Sequence, residues 1–350
     1  MSQEMAPDAV EPATNSPILL APTSNERRLA IDDLVQQIKE SAEKLAADGS
    51  SRGDLKILSR ALRELRYAFK VFSPYRRERK VTVFGSARTL PDEPSYQQAV
   101  DFGKKMADNK WYVVTGAASG IMEAGHRGAG RDRSMGLNIM LPFEQEANPV
   151  IAGDSKLVHM KYFFTRKLMF VKECDAVVCL PGGFGTLDEA MEVITLLQTG
   201  KRDMIPVVLL DKPGGTYWQT LNHFITDHLL AGGMISEADL SLYLTTDNCD
   251  EAVDECLRFF RVYHSMRYVR DKLVFRLNEE LHPLLLRDIN QHFSDLLNSG
   301  EFTQRGVLSE EKDEKDLAEL PRLVFRFNRR DLGRLRQLID CINRGSVHAN

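Results

Sequence analysis

The stretch that most constrains this chain is residues 180–189, Leu-Pro-Gly-Gly-Phe-Gly-Thr-Leu-Asp-Glu. The short apolar run 175–179 precedes it and predicts a buried strand. Leu187, Ala190, Met191, Ile194 and Leu197 follow at helical spacing. Strand, glycine turn and helix therefore succeed one another. Gly182, Gly183 and Gly185 let the backbone pass close to a ligand and take up positive φ. The helix behind them offers unpaired N–H groups and a positive dipole end, a setting suited to phosphate. A second reading fits the same letters: Thr186 and Glu189 are spaced as a capping box, a purely structural device. One glycine is enough to enter a helix, so the crowding of three favours a ligand.

The rest of the chain supplies a frame for that turn. Strands are predicted at 81–84, 111–115, 136–141, 156–160 and 205–210, with helices at 96–109, 121–128 and 164–173 between them. Alternating strands and helices imply parallel pairing, an α/β fold with a doubly wound, Rossmann-like parallel sheet. In such sheets ligands sit at the carboxyl ends of the strands, where 85–88, 116–120 and 180–186 form turns. The dinucleotide fingerprint G-x-G-x-x-G is absent, because the first turn reads Gly85-Ser86-Ala87-Arg88, and the G-x-x-x-x-G-K-[ST] loop is absent too.

Around this core (80–261) the reading places three further segments. Residues 1–25 hold four prolines, three acids and no Lys or Arg, and read as a disordered tail rather than a secretory or transit signal. Residues 26–79 form N-terminal helices, with Ile31, Leu34, Ile38 and Leu45 on one stripe and Leu55, Leu58, Leu62, Leu65 and Phe69 on another. These seams could close over the core or over a second subunit. Residues 262–350 form a small C-terminal α+β domain in which 273–278, Leu-Val-Phe-Arg-Leu-Asn, nearly repeats as 323–328, Leu-Val-Phe-Arg-Phe-Asn. Each copy predicts a strand leading into a helix, the helices carrying Leu281, Leu284 and Leu285 or Leu332, Leu335 and Leu338, with the two strands side by side. The charged stretch 309–316 between them is expected to be exposed, as are the cations of 76–80 and Arg329, Arg330 and Arg334.

Composition narrows the function. A net charge of -4 gives no basic footprint for nucleic acid, and no apolar run is long enough for a membrane helix. Five cysteines without C-x-x-C spacing suggest neither disulfides nor a zinc site, and fit a reducing cytoplasm.

The segment 163–170, Phe-Phe-Thr-Arg-Lys-Leu-Met-Phe, predicts a helix with Phe164, Leu168 and Val171 toward the core and Arg166 and Lys167 to one side. Arg166-Lys167, then the strand, then Pro181-Gly-Gly-x-Gly-Thr-x-x-Glu189, resembles the LONELY GUY (LOG) family of cytokinin riboside 5'-monophosphate phosphoribohydrolases. The resemblance runs from about residue 81 to 230 and takes in Phe84-Gly85-Ser86, Gly120-Ile121-Met122-Glu123 and Val193-Ile194-Thr195, in the manner of a long bacterial-type member. The same superfamily holds bacterial nucleotide 5'-monophosphate nucleosidases, proteins once labelled lysine decarboxylases, and molybdenum-cofactor carriers.

What the resemblance implies is hydrolysis of the N-glycosidic bond of a nucleoside 5'-monophosphate, a cytokinin riboside 5'-monophosphate or AMP-like substrate, without cofactor or metal. A homodimer or higher homo-oligomer, with the site near the subunit interface, is implied as well. The alternative is a non-catalytic nucleotide or molybdenum-cofactor carrier. By resemblance Arg166 and Glu189 are catalytic. Gly182, Gly183, Phe184, Gly185 and Thr186 surround the phosphate, Lys167 and Thr195 touch substrate, and Gly85, Ser86 and Glu123 contribute more weakly. In the first turn of its helix Glu189 is expected to favour its ionised form. The turn Gly116-Ala117-Ala118-Ser119-Gly120 is poorer in glycine than the family's, which crowds the approach. Residues 142–154 are expected to shape the base pocket, with Glu144 and Glu146 as candidate contacts.

Overall fold

The computed structural model describes residues 25–141, 146–311 and 314–345; the tail 1–24 and Glu144 lie outside the described residues. The chain divides into two compact units, residues 1–60 and 61–350. In the first, helix α1 (Asn25–Ala47) ends before Gly49, whose φ of +73° turns the chain. Helix α2 (Arg52–Phe72) then starts on a reciprocal cap: Ser51 N–H donates to Asp54 Oδ2 at 2.9 Å, and Asp54 N–H to Ser51 Oγ at 3.2 Å. The expected stripe of α1 exists, and Ile31, Leu34 and Ile38 on it are exposed.

The second unit carries the parallel sheet. Its elements run β1 (Lys80–Phe84), α3 (Pro94–Asp108), β2 (Tyr112–Thr115), α4 (Ile121–Ala129), β3 (Ser134–Ile139), β4 (Leu157–Met160), α5 (Phe163–Glu173), β5 (Ala176–Cys179), α6 (Phe184–Gln198), β6 (Val207–Leu210), α7 (Tyr217–Phe224), β7 (Leu244–Thr246) and α8 (Cys249–Arg258). The strand order is β4-β3-β2-β1-β5-β6-β7, and every neighbour pairs in parallel. Strands with both faces covered read as continuous apolar runs, and the period of two sorts them. Val81, Val83, Ala176, Val178, Val208 and Leu210 enter one core, while Phe84, Val177, Cys179, Val207 and Leu209 enter the other. The chain winds outward from β1 in one direction through β4, then restarts beside β1 with β5 and winds the other way. A crevice opens at such a reversal.

A second, antiparallel sheet follows: β8 (Tyr263–Val269), β9 (Lys272–Leu277), α9 (Pro283–His292), β10 (Leu297–Arg305), β11 (Arg322–Phe327) and α10 (Leu332–Arg344), in the order β10-β11-β9-β8. The repeated sequences do lie side by side, with Leu323 opposite Phe275 and Phe325 opposite Leu273. Phe275 and Phe325 belong to the same apolar cluster as Val177 and Leu209 of the parallel sheet.

Several expectations change. Helix α5 turns Thr165, Met169, Phe170 and Glu173 inward and leaves Phe164 and Leu168 exposed, so its buried face is rotated from the one expected. Leu284 is exposed, whereas Leu281 and Leu285 are buried. Within the stretch expected to be exposed, Glu311 is 1% exposed. It accepts from Arg276 Nε and Nη2 at 3.0 and 2.8 Å and from Arg322 Nε at 3.0 Å, and two guanidinium groups compensate its burial. Lys80 is buried as well, 3.9 Å from Glu173.

Candidate active site

Three turns at the carboxyl ends of β1, β2 and β5 meet at the reversal between β1 and β5. They are tied directly: Ser86 N–H donates to Pro181 O at 3.1 Å, Ile121 N–H to Ser86 O at 3.0 Å, and Ser119 Oγ to Ala87 O at 2.8 Å. Such close approach needs small residues. A Cβ on Gly120, whose φ is +64°, would stand 2.3 Å from Ser86 O; one on Gly182 would stand 2.2 Å from Thr186 Oγ1 and 2.9 Å from Ser86 N. The turn 180–186 uses its glycines differently from expectation, because none of Gly182, Gly183 and Gly185 has positive φ. Gly183 and Gly185 have open space where a Cβ would be, and both line a cleft of about 660 Å³.

Helix α6 starts at Phe184 with Gly183 as its N-cap and no side-chain cap. Thr186 thus lies inside the first turn, its N–H donating to Gly183 O at 3.0 Å, and the capping-box reading of Thr186 and Glu189 fails. Freed from capping, Glu189 lines the cleft, 4% exposed, and its Oε2 makes no hydrogen bond among the described residues.

Arg166 reaches the cleft from the first turn of α5. Glu64 of α2 holds that turn: its carboxylate accepts from Lys161 N–H, just before the helix, at 2.9 Å and from Thr165 Oγ1 at 2.8 Å, placing negative charge at the helix's positive end. The guanidinium lies between Phe163 (5.1 Å to the ring centroid) and Phe170 (5.6 Å), and its Nε makes no hydrogen bond among the described residues.

Electrostatics set the two groups apart from ordinary pairs. Burial pushes the Glu189 carboxyl up to about 7, against the opposing pull of Lys167 and Arg166. Sequence position leads to the expectation that Glu189 favours its ionised form; desolvation opposes this, and with a pKa of about 7 both forms are populated near neutrality. Burial also lowers Arg166, partly offset by Glu189, although an arginine keeps its charge. Lys167 is raised: burial lowers it, but its bonds to Asp188 (2.8 Å) and Glu192 (2.7 Å), with Glu189 at 3.6 Å, prevail.

Of the residues singled out in the sequence, Gly85, Ser86, Arg166, Gly183, Phe184, Gly185, Thr186 and Glu189 line the cleft together. Gly182 packs behind it, its carbonyl accepting from the Tyr217 hydroxyl at 2.7 Å. Three others fall away from the lining. Lys167 faces the acids of α6, Glu123 pairs with Arg127 at 2.8 Å, and Thr195 is exposed with its hydroxyl bonded to Met191 O at 2.7 Å. Glu146 is exposed and does not line the cleft.

The structure adds Arg88 and an apolar wall of Phe84, Met122, Ile139, Leu141, Phe163 and Phe170. It also shows how the second turn tolerates alanine. Ala117 takes a φ of +58°, held by Thr115 Oγ1 on its N–H (2.9 Å) and by Asn148 N–H on its carbonyl (2.8 Å). Asn148 is within 3.2 Å of His126 Nδ1, whose burial lowers its pKa to about 4 and keeps it neutral. No sequence signal marked this support, since its members meet only in the fold.

Known proteins match this region. The family model described as "Possible lysine decarboxylase" matches residues 115–256. Cytokinin riboside 5'-monophosphate phosphoribohydrolase LOG3 of Arabidopsis thaliana is 33% identical over 50% of this chain and 80% of its own. LOG7 of the same plant is 32% identical over 46% and 73%. A molybdenum cofactor carrier protein from Chlamydomonas reinhardtii aligns at 20% identity with a TM-score of 0.36, covering 52% of this chain and 99% of that one, a likeness too low to bear on activity. With the glycine turn, Arg166 and Glu189 assembled as described, the similarity to the plant enzymes places the chain in the LOG family of cytokinin riboside 5'-monophosphate phosphoribohydrolases.

Proposed function

We propose that the protein hydrolyses the N-glycosidic bond of a nucleoside 5'-monophosphate, releasing free base and ribose 5-phosphate, with Arg166 and Glu189 as the catalytic residues. The observation that carries this reading is that a buried Glu189 and a half-buried Arg166 line one cleft, each with a buried polar atom lacking a hydrogen bond among the described residues, beside an open glycine turn. A carrier would need the turn, but not a buried carboxylate poised near neutrality.

The chemistry follows from the charges. Breaking the bond from C1′ to the base leaves positive charge on the ribose, which the ionised Glu189 stabilises. A carboxylate of pKa about 7 is also matched to taking a proton from the attacking water. The water oxygen joins C1′ as its proton passes to Glu189, the bonding pair leaves with the base, the base nitrogen takes a proton from solvent, and Glu189 returns the water's proton to solvent to end the cycle. Arg166 positions ribose and base and steadies the negative charge of the leaving ring. Gly183, Gly185 and Thr186 hold the 5'-phosphate at the start of α6.

The apolar wall supports a purine with an apolar substituent, as in the cytokinin riboside 5'-monophosphates for which the plant relatives are named. Lysine decarboxylation finds no support in the cleft, where no lysine is among the described residues of the lining. A homodimer with the site near its interface belongs to the same reading; exposed Phe163, Phe164, Leu168 and Phe184, the last 93% exposed, support it. The test is ribose 5-phosphate release from AMP, GMP, CMP and isopentenyladenosine monophosphate. Release, fastest from the isopentenyl substrate, is expected, and no release from any of the four would refute the proposal.

A further inference from the structure

We infer that Arg88 is the cation that recognises the 5'-phosphate and sets the preference for nucleotide over nucleoside; this deepens, and rests on, the function proposed above. The charge balance of the cleft leads there. Among the described residues that line it, only Arg88, Arg166 and Glu189 carry ionisable charge. Arg166 and Glu189 act on each other and flank the bond to be broken. A phosphate monoester brings a charge of roughly −1.5 to −2 at pH 7. The start of α6 supplies only a partial positive charge, so a full cation is wanted beside it, and Arg88 is the one left over.

Geometry makes Arg88 available. Its N–H donates to Ser86 Oγ at 3.1 Å, and the loop that carries it is pinned on both sides, by Ser86 to Pro181 and by Ala87 to Ser119. The backbone is therefore fixed against the glycine turn. Its side chain is exposed, and among the described residues no hydrogen bond or ion pair occupies the guanidinium. Lys167, the cation expected to touch substrate, is instead held by Asp188 and Glu192. A planar guanidinium can bind two phosphate oxygens at once, which a lysine cannot reproduce.

The experiment compares wild type, Arg88→Gln and Arg88→Lys on isopentenyladenosine monophosphate and AMP, with ribose 5-phosphate and adenine as competing inhibitors. Arg88→Gln should raise KM about 10- to 100-fold, the range for a lost hydrogen bond to a charged group, with kcat nearly unchanged. Inhibition by ribose 5-phosphate should weaken in parallel, inhibition by adenine should not, and Arg88→Lys should recover part of the loss. Equal inhibition of wild type and Arg88→Gln by ribose 5-phosphate would overturn the assignment while leaving the hydrolase intact. Calorimetric binding of ribose 5-phosphate separates the two ideas further: if wild type cleaves neither nucleotide, the hydrolase reading falls, and Arg88 is still judged by whether its removal weakens that binding.

Discussion

Lys167 stands 3.6 Å from Glu189 while its shorter contacts go to Asp188 and Glu192. It therefore draws the Glu189 carboxyl downward against the burial that raises it. Removing this cation should lift Glu189 above its present value of about 7. Activity that depends on the ionised form then moves to higher pH. In Lys167→Gln the acid limb of kcat/KM should shift alkaline, with a loss of about 3- to 10-fold at pH 7 that fades by pH 9. A loss of equal size at every pH would contradict this.

The raised Glu189 also costs stability. Its folded pKa, about 7, exceeds the ordinary value of 4.5, so the folded chain binds the proton more tightly and stability falls as pH rises from 4.5 to 7. Glu189→Gln removes the buried charge. At pH 8 this variant should be more stable than wild type by up to about 3 kcal/mol, with the difference shrinking towards pH 5. Thermal unfolding at the two pH values measures it.

Gly185 offers a cleaner separation of folding from binding. It lies in the first turn of α6, without positive φ and with open space where a Cβ would be. Alanine there meets no protein atom and improves helix propensity, so Gly185→Ala should stabilise by up to about 1 kcal/mol. The new methyl projects into the cleft and should raise KM. A destabilised variant with unchanged KM would show that the glycine serves the fold alone.

Glu64 tests the support beneath Arg166. Glu64→Ala deprives Lys161 N–H of its acceptor and should destabilise by about 1–3 kcal/mol. Because α5 loses an anchor one residue before Arg166, kcat should fall more than KM rises. Glu64→Gln, which retains one acceptor oxygen, should recover most of both.

The parallel sheet was legible because its strands are apolar runs stopped by glycine turns, and the signal is local. The rotated face of α5 was not. Phe163 and Phe170 flank Arg166 at helical spacing and shelter a guanidinium that charge patterning alone assigns to solvent. Spacing likewise cannot distinguish a capping Thr186 from one in the first turn, since that depends on where the chain enters the helix; here Gly183 is the cap. Glu311 looked exposed in a charged stretch because its partners, Arg276 and Arg322, reach it only through the pairing of β9 with β11. Arg88 adjoins Phe84-Gly85-Ser86 in sequence, yet only its place in the cleft distinguishes it from other surface arginines.

Glu189 is assigned to bond cleavage rather than to nucleotide binding. Ribose 5-phosphate release and nucleotide affinity, measured side by side for wild type and Glu189→Gln, test this assignment most directly. Glu189→Gln is expected to bind isopentenyladenosine monophosphate within a few-fold of wild type and to release ribose 5-phosphate slower by a factor on the order of 10² or more. Undiminished release by Glu189→Gln would contradict the assignment.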